Sequence, residues 1–177
     1  MSWCSLPSVR LWLLPNVVLL AAMGVWGAMR YSHLPERIPK HIGTDGVDAW
    51  TDRSIGSAFV LVFVYAGMTV LTTAGAELAL RTTPRDELPD TGEASFAAGM
   101  SSSLLDRPGS RASAHRIARA LLLFDMLIGV SLLMGCGILW RSTPDRDVPP
   151  WLLAAMLLPL LAGTALTVAA ALGDRKR

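Results

Sequence analysis

Charge and cysteine are both scarce in this sequence. Charged side chains make up 17% of the 177 residues, whereas a typical soluble domain carries about 25%. Cys4 lies near the N-terminus and Cys136 lies within an apolar stretch, and no CxxC pair is present. Neither a disulfide framework nor a thiolate metal site is therefore expected. Hydrophobic residues account for 52% of the chain, a composition that excludes an ordinary water-soluble domain.

Signatures of catalysis and of nucleotide binding are also missing. The sequence contains no HExxH or GxSxG motif, no P-loop and no dinucleotide fingerprint. No basic stretch interleaved with aromatic residues suggests a nucleic-acid partner. His33, His41, Asp45 and Asp48 carry metal-binding atoms, but their spacing matches no common zinc signature. We therefore predict a non-enzymatic protein with no cofactor, no metal site and no nucleic-acid partner.

Long apolar runs dominate what is present. A helix needs about 20 apolar residues to cross the hydrocarbon core of a bilayer. The runs that meet this length are Leu11–Met29, Ile55–Leu80, Ile117–Trp140 and Trp151–Leu172. They are apolar on all sides, whereas helices of a soluble bundle show charged stripes. The sequence thus predicts an all-α integral membrane protein, a bundle of four transmembrane helices with the lipid bilayer as its surroundings.

The first run is interpreted as a retained helix, because the small-x-small cleavage pattern of a signal peptide is absent after it. The basic residues of the loops then set the orientation, since cytoplasmic loops carry the excess of Lys and Arg. With the N-terminus inside, the inner side holds nine and the outer side six. The inner ones are Arg10, Arg81, Arg85, Arg107, Arg111, Arg116, Arg175, Lys176 and Arg177; the outer ones are Arg30, Arg37, Lys40, Arg53, Arg141 and Arg146. We predict a multi-pass protein of the cell membrane with both termini cytoplasmic.

The chain divides into parts at its changes of composition. Residues 1–80 hold the first helix pair and the loop between its members. Residues 81–116 are rich in Pro, Gly, Ser and acid without sustained periodicity, and are predicted to be a cytoplasmic polar linker. Residues 117–177 hold the second helix pair and a basic tail.

One acidic residue, Asp125, falls within the third apolar run. Because burial of a charge in a membrane is costly, such a residue is by default a hypothesis for a functional site. The alternative is structural: Asp125 bonds to a threonine or reaches interfacial water. Arg119 lies on a different side of the same helix, so a charged partner would come from another helix. Both interpretations stay open.

The most distinctive segment is the polar loop from Tyr31 to Arg53. Pro35 and Pro39 exclude a continuing helix and favour an extended or polyproline-like run. Gly43 and Gly46 flank a predicted tight turn at Thr44–Asp45. Arg37 offers a planar fork for a carboxylate or phosphate, with Asp48 as its expected internal partner.

The loop contains an L-P-x-R-I-P-x-H pattern, a glycine turn and a D-x-W-x-x-basic ending. Its candidate binding residues are Leu34, Pro35, Arg37, Pro39, His41, Gly46, Asp48, Trp50 and Arg53. This pattern resembles a bacterial membrane family that is classed as a domain of unknown function, and the same module forms the N-terminal part of SdpI-like immunity proteins. The resemblance covers Leu11 to about Leu80, and no counterpart of the C-terminal motif of the immunity proteins is found.

Two classes of function follow. In the first, a non-enzymatic bacterial membrane protein senses or binds a peptide or protein ligand through its external loop, in an immunity-like or signalling-like role. The alternative is a subunit of a small-solute or ion transporter, with Asp125 lining the path. Four helices are few for a transporter, so this alternative requires a homo-oligomer.

Overall fold

The computed structural model describes residues 9–43, 46–87, 107–140 and 149–175. The predicted turn residues Thr44 and Asp45, the middle of the predicted linker (88–106), and the charged residues Arg141, Arg146, Lys176 and Arg177 lie outside this part. The helices are α1 (Val9–Tyr31), α2 (Ile55–Ala58), α3 (Val60–Arg81), α4 (Arg111–Leu139) and α5 (Pro150–Arg175). A hairpin of β1 (Arg37–Gly43) and β2 (Gly46–Asp52) separates α1 from α2.

Four of the described helices are long and apolar enough to cross a bilayer, namely α1, α3, α4 and α5. The predicted class, a mostly helical membrane protein with four spanning helices, is confirmed. The hairpin is an addition that the apolar runs did not reveal. The prolines within the spans do not end them, because α1 continues through Pro15 and α5 continues through Pro159.

Serine caps fix where two of the helices begin. Ser54 and Ser57 form a reciprocal capping box at the start of α2, and the helical path is interrupted at Phe59 before α3 begins. The Ser110 hydroxyl accepts a hydrogen bond from the Ser113 amide at 3.2 Å. This cap starts α4 at Arg111 rather than at Ile117, so the polar end of the predicted linker is the first turns of a helix.

Helix α4 lies at the centre of the bundle and contacts α1, α3 and α5. Hydrogen bonds tie α4, or the residue that directly follows it, to α1, α5 and α2. The Asn16 amide of α1 donates to the Leu122 carbonyl at 3.2 Å, and the Ser131 hydroxyl donates to the Met156 carbonyl of α5 at 2.7 Å. The Trp140 indole, directly after α4, donates to the Ala58 carbonyl of α2 at 2.8 Å.

Glycines allow the close packing of these helices. A Cβ at Gly129 would overlap the Tyr65 ring of α3, and a Cβ at Gly163 of α5 would overlap the Phe124 ring. Small residues at such positions let helix backbones approach in a membrane, where van der Waals packing drives association. Gly163 therefore lets α5 pack closely against α4.

The ends of the predicted linker meet on one side of the bundle. Arg111 makes two 2.8 Å bonds to the Glu87 carboxylate, in the forked geometry that suits guanidinium and carboxylate. The Arg85 amide also donates to the Pro108 carbonyl at 3.1 Å. Residues 85–87 are therefore held beside residues 108–111 at the start of α4.

The contact between Gly129 and Tyr65 gives a first prediction. Gly129→Ala is expected to lower the free energy of unfolding by about 1–3 kcal/mol, because the added methyl group over-packs the α3–α4 contact. The matched control is Gly137→Ala on the same helix, whose Cβ would meet its nearest atom, in the Trp26 ring, at 3.5 Å. Thermal melting in detergent measures both. Equal melting temperatures for the two variants would contradict this packing.

Candidate functional site

The loop between α1 and α2 forms an antiparallel hairpin with an irregular register. Pro39 pairs with Trp50 and His41 pairs with Ala49, so Lys40 is an extra residue on β1. Asp48 is likewise skipped on β2, between Ala49 and Val47. Such bulges re-aim side chains and are over-represented near functional sites. Here Lys40 and His41 are both exposed, although they are consecutive in a strand.

One face of the hairpin is buried against the ends of the helices. Ile38 is 0% exposed and Leu34 is 4% exposed, and both join the cluster that contains Trp140. Val47 packs with Ile138 of α4, and Trp50 lies at the edge of that contact. Burial of apolar side chains contributes about 25 cal/mol per Å² of area removed from water, so this face fixes the hairpin on the bundle.

An aromatic cluster around Trp140 belongs to the same buried region. The Trp140 ring meets Trp26 edge to face at a centroid distance of 5.2 Å, and lies 5.9 Å from Phe59. A Cβ at Gly27 would come within 2.7 Å of both Trp140 and Phe59, so only glycine leaves room for these rings. The aromatic side chains in the buried cluster of the hairpin are therefore closely packed.

Arg53 closes the hairpin at its base. Its guanidinium donates to the Leu34 carbonyl at 2.6 Å, and its amide donates to the Glu36 carbonyl at 2.7 Å. The guanidinium also lies 5.7 Å from the centre of the Tyr31 ring, within the range of a cation–π interaction. Arg53 thus has a structural role at this position.

The other face of the hairpin carries exposed charged side chains. His41 Nδ1 lies 2.7 Å from Asp48 Oδ1. Arg37 Nε lies 3.8 Å from Asp52 Oδ1, with side chains 77% and 93% exposed. The expectation that Arg37 pairs with Asp48 is therefore wrong: the strand register places Arg37 opposite Asp52. An ion pair as exposed as this one contributes little to stability.

The predicted site residues fall into two groups. Leu34, Pro39 and Trp50 lie on the buried or half-buried side, with Pro35 half-buried and Gly46 at the start of β2. Arg37, His41 and Asp48 lie on the exposed side. Lys40 and Asp52 were not among the predicted site residues, and the structure shows that both are exposed as well. We call Arg37, Lys40, His41, Asp48 and Asp52 the charged face of the hairpin.

A second polar cluster lies inside the bundle. The Tyr65 hydroxyl donates to Asn16 Oδ1 at 3.1 Å, and Asn16 is 0% exposed. Asp125 of α4 is also 0% exposed, and it faces Tyr65, Thr69 and Thr72 of α3. Sequence reasoning singled out Asp125 but missed Asn16 and Tyr65, because an isolated polar residue in an apolar run does not show which helix it faces.

Residues 18–65 match a domain of unknown function, DUF1648. The matched stretch runs from α1 through the whole hairpin into the first turns of α3. It includes the charged face of the hairpin and Tyr65. No curated protein and no solved structure matches the chain. In the described part of the chain, no cluster of three or more His, Cys, Asp or Glu side chains could hold a metal ion.

The unequal contacts of the two hairpin arginines lead to a second prediction. Arg53→Ala is expected to lower the melting temperature and to expose the hairpin to protease, because it removes the bond to the Leu34 carbonyl and the contact with Tyr31. Arg37→Ala is the matched control and should melt like the wild type, since its ion pair is exposed. Limited proteolysis and thermal melting of both variants provide the measurement. A larger loss in Arg37→Ala would reverse these roles.

Proposed function

We propose that this protein is a non-enzymatic membrane protein of bacteria, which binds a peptide or protein ligand through the charged face of its hairpin. The binding serves an immunity-like or signalling-like role. The protein acts in the cell membrane, with the hairpin outside and both termini in the cytoplasm. The main support is the double irregularity of the hairpin, which aims Lys40, His41 and Asp48 at solvent while Ile38 and Val47 stay buried.

The rigidity of the hairpin supports a role in binding. Its buried face and the clamp by Arg53 hold the backbone before any partner arrives. A surface that is already ordered loses less conformational entropy on association, so a larger share of the contact energy appears as affinity.

The charges of this face indicate the chemistry of the ligand. Lys40 and Arg37 offer donors for carboxylates, and Asp48 and Asp52 offer acceptors for backbone amides and basic side chains. A mixed set of this kind suits a polypeptide, which carries both signs and many amide groups. A single phosphate or a lone cation would use only half of it.

The outer location gives a third prediction. Lys40→Cys places a thiol on the hairpin, which precedes α3, and Thr83→Cys places one just after the end of α3. Both are made in a Cys4→Ser background, where the remaining cysteine, Cys136, is 0% exposed. A membrane-impermeant maleimide on intact cells is expected to label Lys40→Cys, and to label Thr83→Cys only after permeabilisation. The reverse pattern would contradict the proposed orientation.

Binding through the charged face yields a fourth prediction, measured by complementation of a strain that lacks the protein. Arg37→Ala, Lys40→Ala and His41→Ala should reach wild-type abundance and melting temperature, because these side chains are exposed. They should nevertheless fail to restore the phenotype, since the ligand loses its contacts.

The control for this experiment is Trp50→Ala, which removes a side chain packed beside Val47 and Ile138. Its abundance should fall, with function falling in proportion. If the three surface variants lose abundance as Trp50→Ala does, or if they restore the phenotype in full, the charged face is not a binding site.

A further inference from the structure

The polar cluster inside the bundle, which contains Asn16, Tyr65 and Asp125, plays no part in the proposed binding of a ligand at the hairpin. Asp125 lies six residues after Arg119 along α4, which is about 9 Å of helix at 1.5 Å per residue. Its carboxyl group is fully buried between α4 and α3, and neither carboxyl oxygen has a hydrogen-bond partner among the described residues. An ionised carboxylate offers about four acceptor sites, so these surroundings suit an ionised group poorly.

Most of the polar groups that face Asp125 can act only as hydrogen-bond acceptors, because they donate their own protons elsewhere. The Tyr65 hydroxyl gives its proton to Asn16, and the Asn16 amide gives one of its own to the Leu122 carbonyl. The Thr72 hydroxyl donates to the Met68 carbonyl at 2.9 Å. Only the Thr69 hydroxyl, which has no partner within the described chain, is left to donate. Neither the Tyr65 hydroxyl nor the Thr72 hydroxyl therefore has a proton left to donate to Asp125.

No cation neutralises Asp125 in the described structure. Arg116 donates to the Ser113 hydroxyl at 2.7 Å, and the Arg119 guanidinium lies 5.8 Å from the centre of the Trp12 ring. Neither bonds to Asp125, whose oxygens are unpartnered. Between Leu11 and Met29 of α1, and between Trp151 and Gly173 of α5, the sequence has no charged residue. From α3, Tyr65 is the titratable group that faces Asp125, while Glu77 pairs with Arg81 at 3.4 Å.

We propose that Asp125, with Tyr65, Thr69 and Thr72, forms a proton-binding site inside the membrane, in which the carboxyl group holds an exchangeable proton at neutral pH. The proton sits on a carboxyl oxygen, next to the hydroxyl groups of α3 that face it. This removes the cost of an unpaired charge in an apolar interior. Intramembrane acids of this kind occur in proton relays. The site is independent of the proposed binding at the hairpin.

Infrared spectroscopy of the full-length protein in lipid bilayers tests the site without any ligand. The carbonyl stretch of a protonated carboxylic acid is separate from the bands of a carboxylate. The difference spectrum between wild type and Asp125→Asn at pH 7 is expected to show loss of an acid band, and this band should shift in D₂O. Loss of carboxylate bands instead, or an acid band that does not shift in D₂O, would overturn the proposal.

Matched variants complete the design. Glu77→Gln should lose carboxylate bands, because Glu77 is ion-paired with Arg81 near the end of α3. Asp125→Asn should melt close to the wild type, since an amide keeps a donor where the acid proton was. If it does not fold, Thr69→Val takes its place, and the acid band should shift without being lost. An acid band that stays unshifted in Thr69→Val would count against the site.

Sodium distinguishes a proton from a metal cation. The spectra are recorded in sodium chloride and in choline chloride at equal concentration and equal pH. The acid band is expected to be the same in both. If sodium converts it to carboxylate bands, the site binds a cation in place of a proton and the proposal fails.

Discussion

A bilayer offers no hydrogen-bond partners, so each polar group within it must find one inside the protein. Helix α4 supplies several of these bonds, although the Asp125 oxygens and the Thr69 hydroxyl have none among the described residues. Its Leu122 carbonyl accepts from Asn16 of α1, its Ser131 hydroxyl donates to Met156 of α5, and Trp140 at its end donates to Ala58 of α2. Each bond reaches a different helix, so the polar groups set the register of three contacts while glycines set their closeness. The apolar faces that remain exposed suit lipid.

The hairpin depends on that arrangement. Ile38 and Leu34 belong to the same buried cluster as Trp140, whose ring packs against Trp26 and Phe59. Because the apolar side chains of the hairpin are fixed there, its charged side chains are turned away from the bundle. The Ala58 carbonyl bond of Trp140 also holds the short α2 that follows β2. Packing of the helices and presentation of the charged face therefore share one buried cluster, to which Trp140 belongs.

Several features could be predicted from single stretches of sequence. The spans follow from the length of the apolar runs, and the extended backbone of the loop follows from Pro35 and Pro39, because these constraints act locally. The partner of Arg37 could not be predicted, since strand register decides whether Asp48 or Asp52 lies opposite. For the same reason Lys40 was missed: its exposure depends on the bulge. The start of α4 at Arg111 depends on the Ser110 cap. This serine is one of many polar residues in the predicted linker, so composition alone does not identify it as a cap.

The sequence by itself determined the membrane class, the four spans and the position of Asp125 within one of them, because hydrophobic length and the cost of a buried charge are properties of the chain. Only the tertiary structure decided what faces Asp125. Asn16 and Tyr65 lie 49 residues apart, and Asn16 and Leu122 lie 106 apart. Gly129 leaves room for the Tyr65 ring against α4. Each helix is apolar on all sides, so its sequence does not determine how the helix is rotated about its own axis. The tertiary structure fixes this rotation and thereby brings the polar groups together.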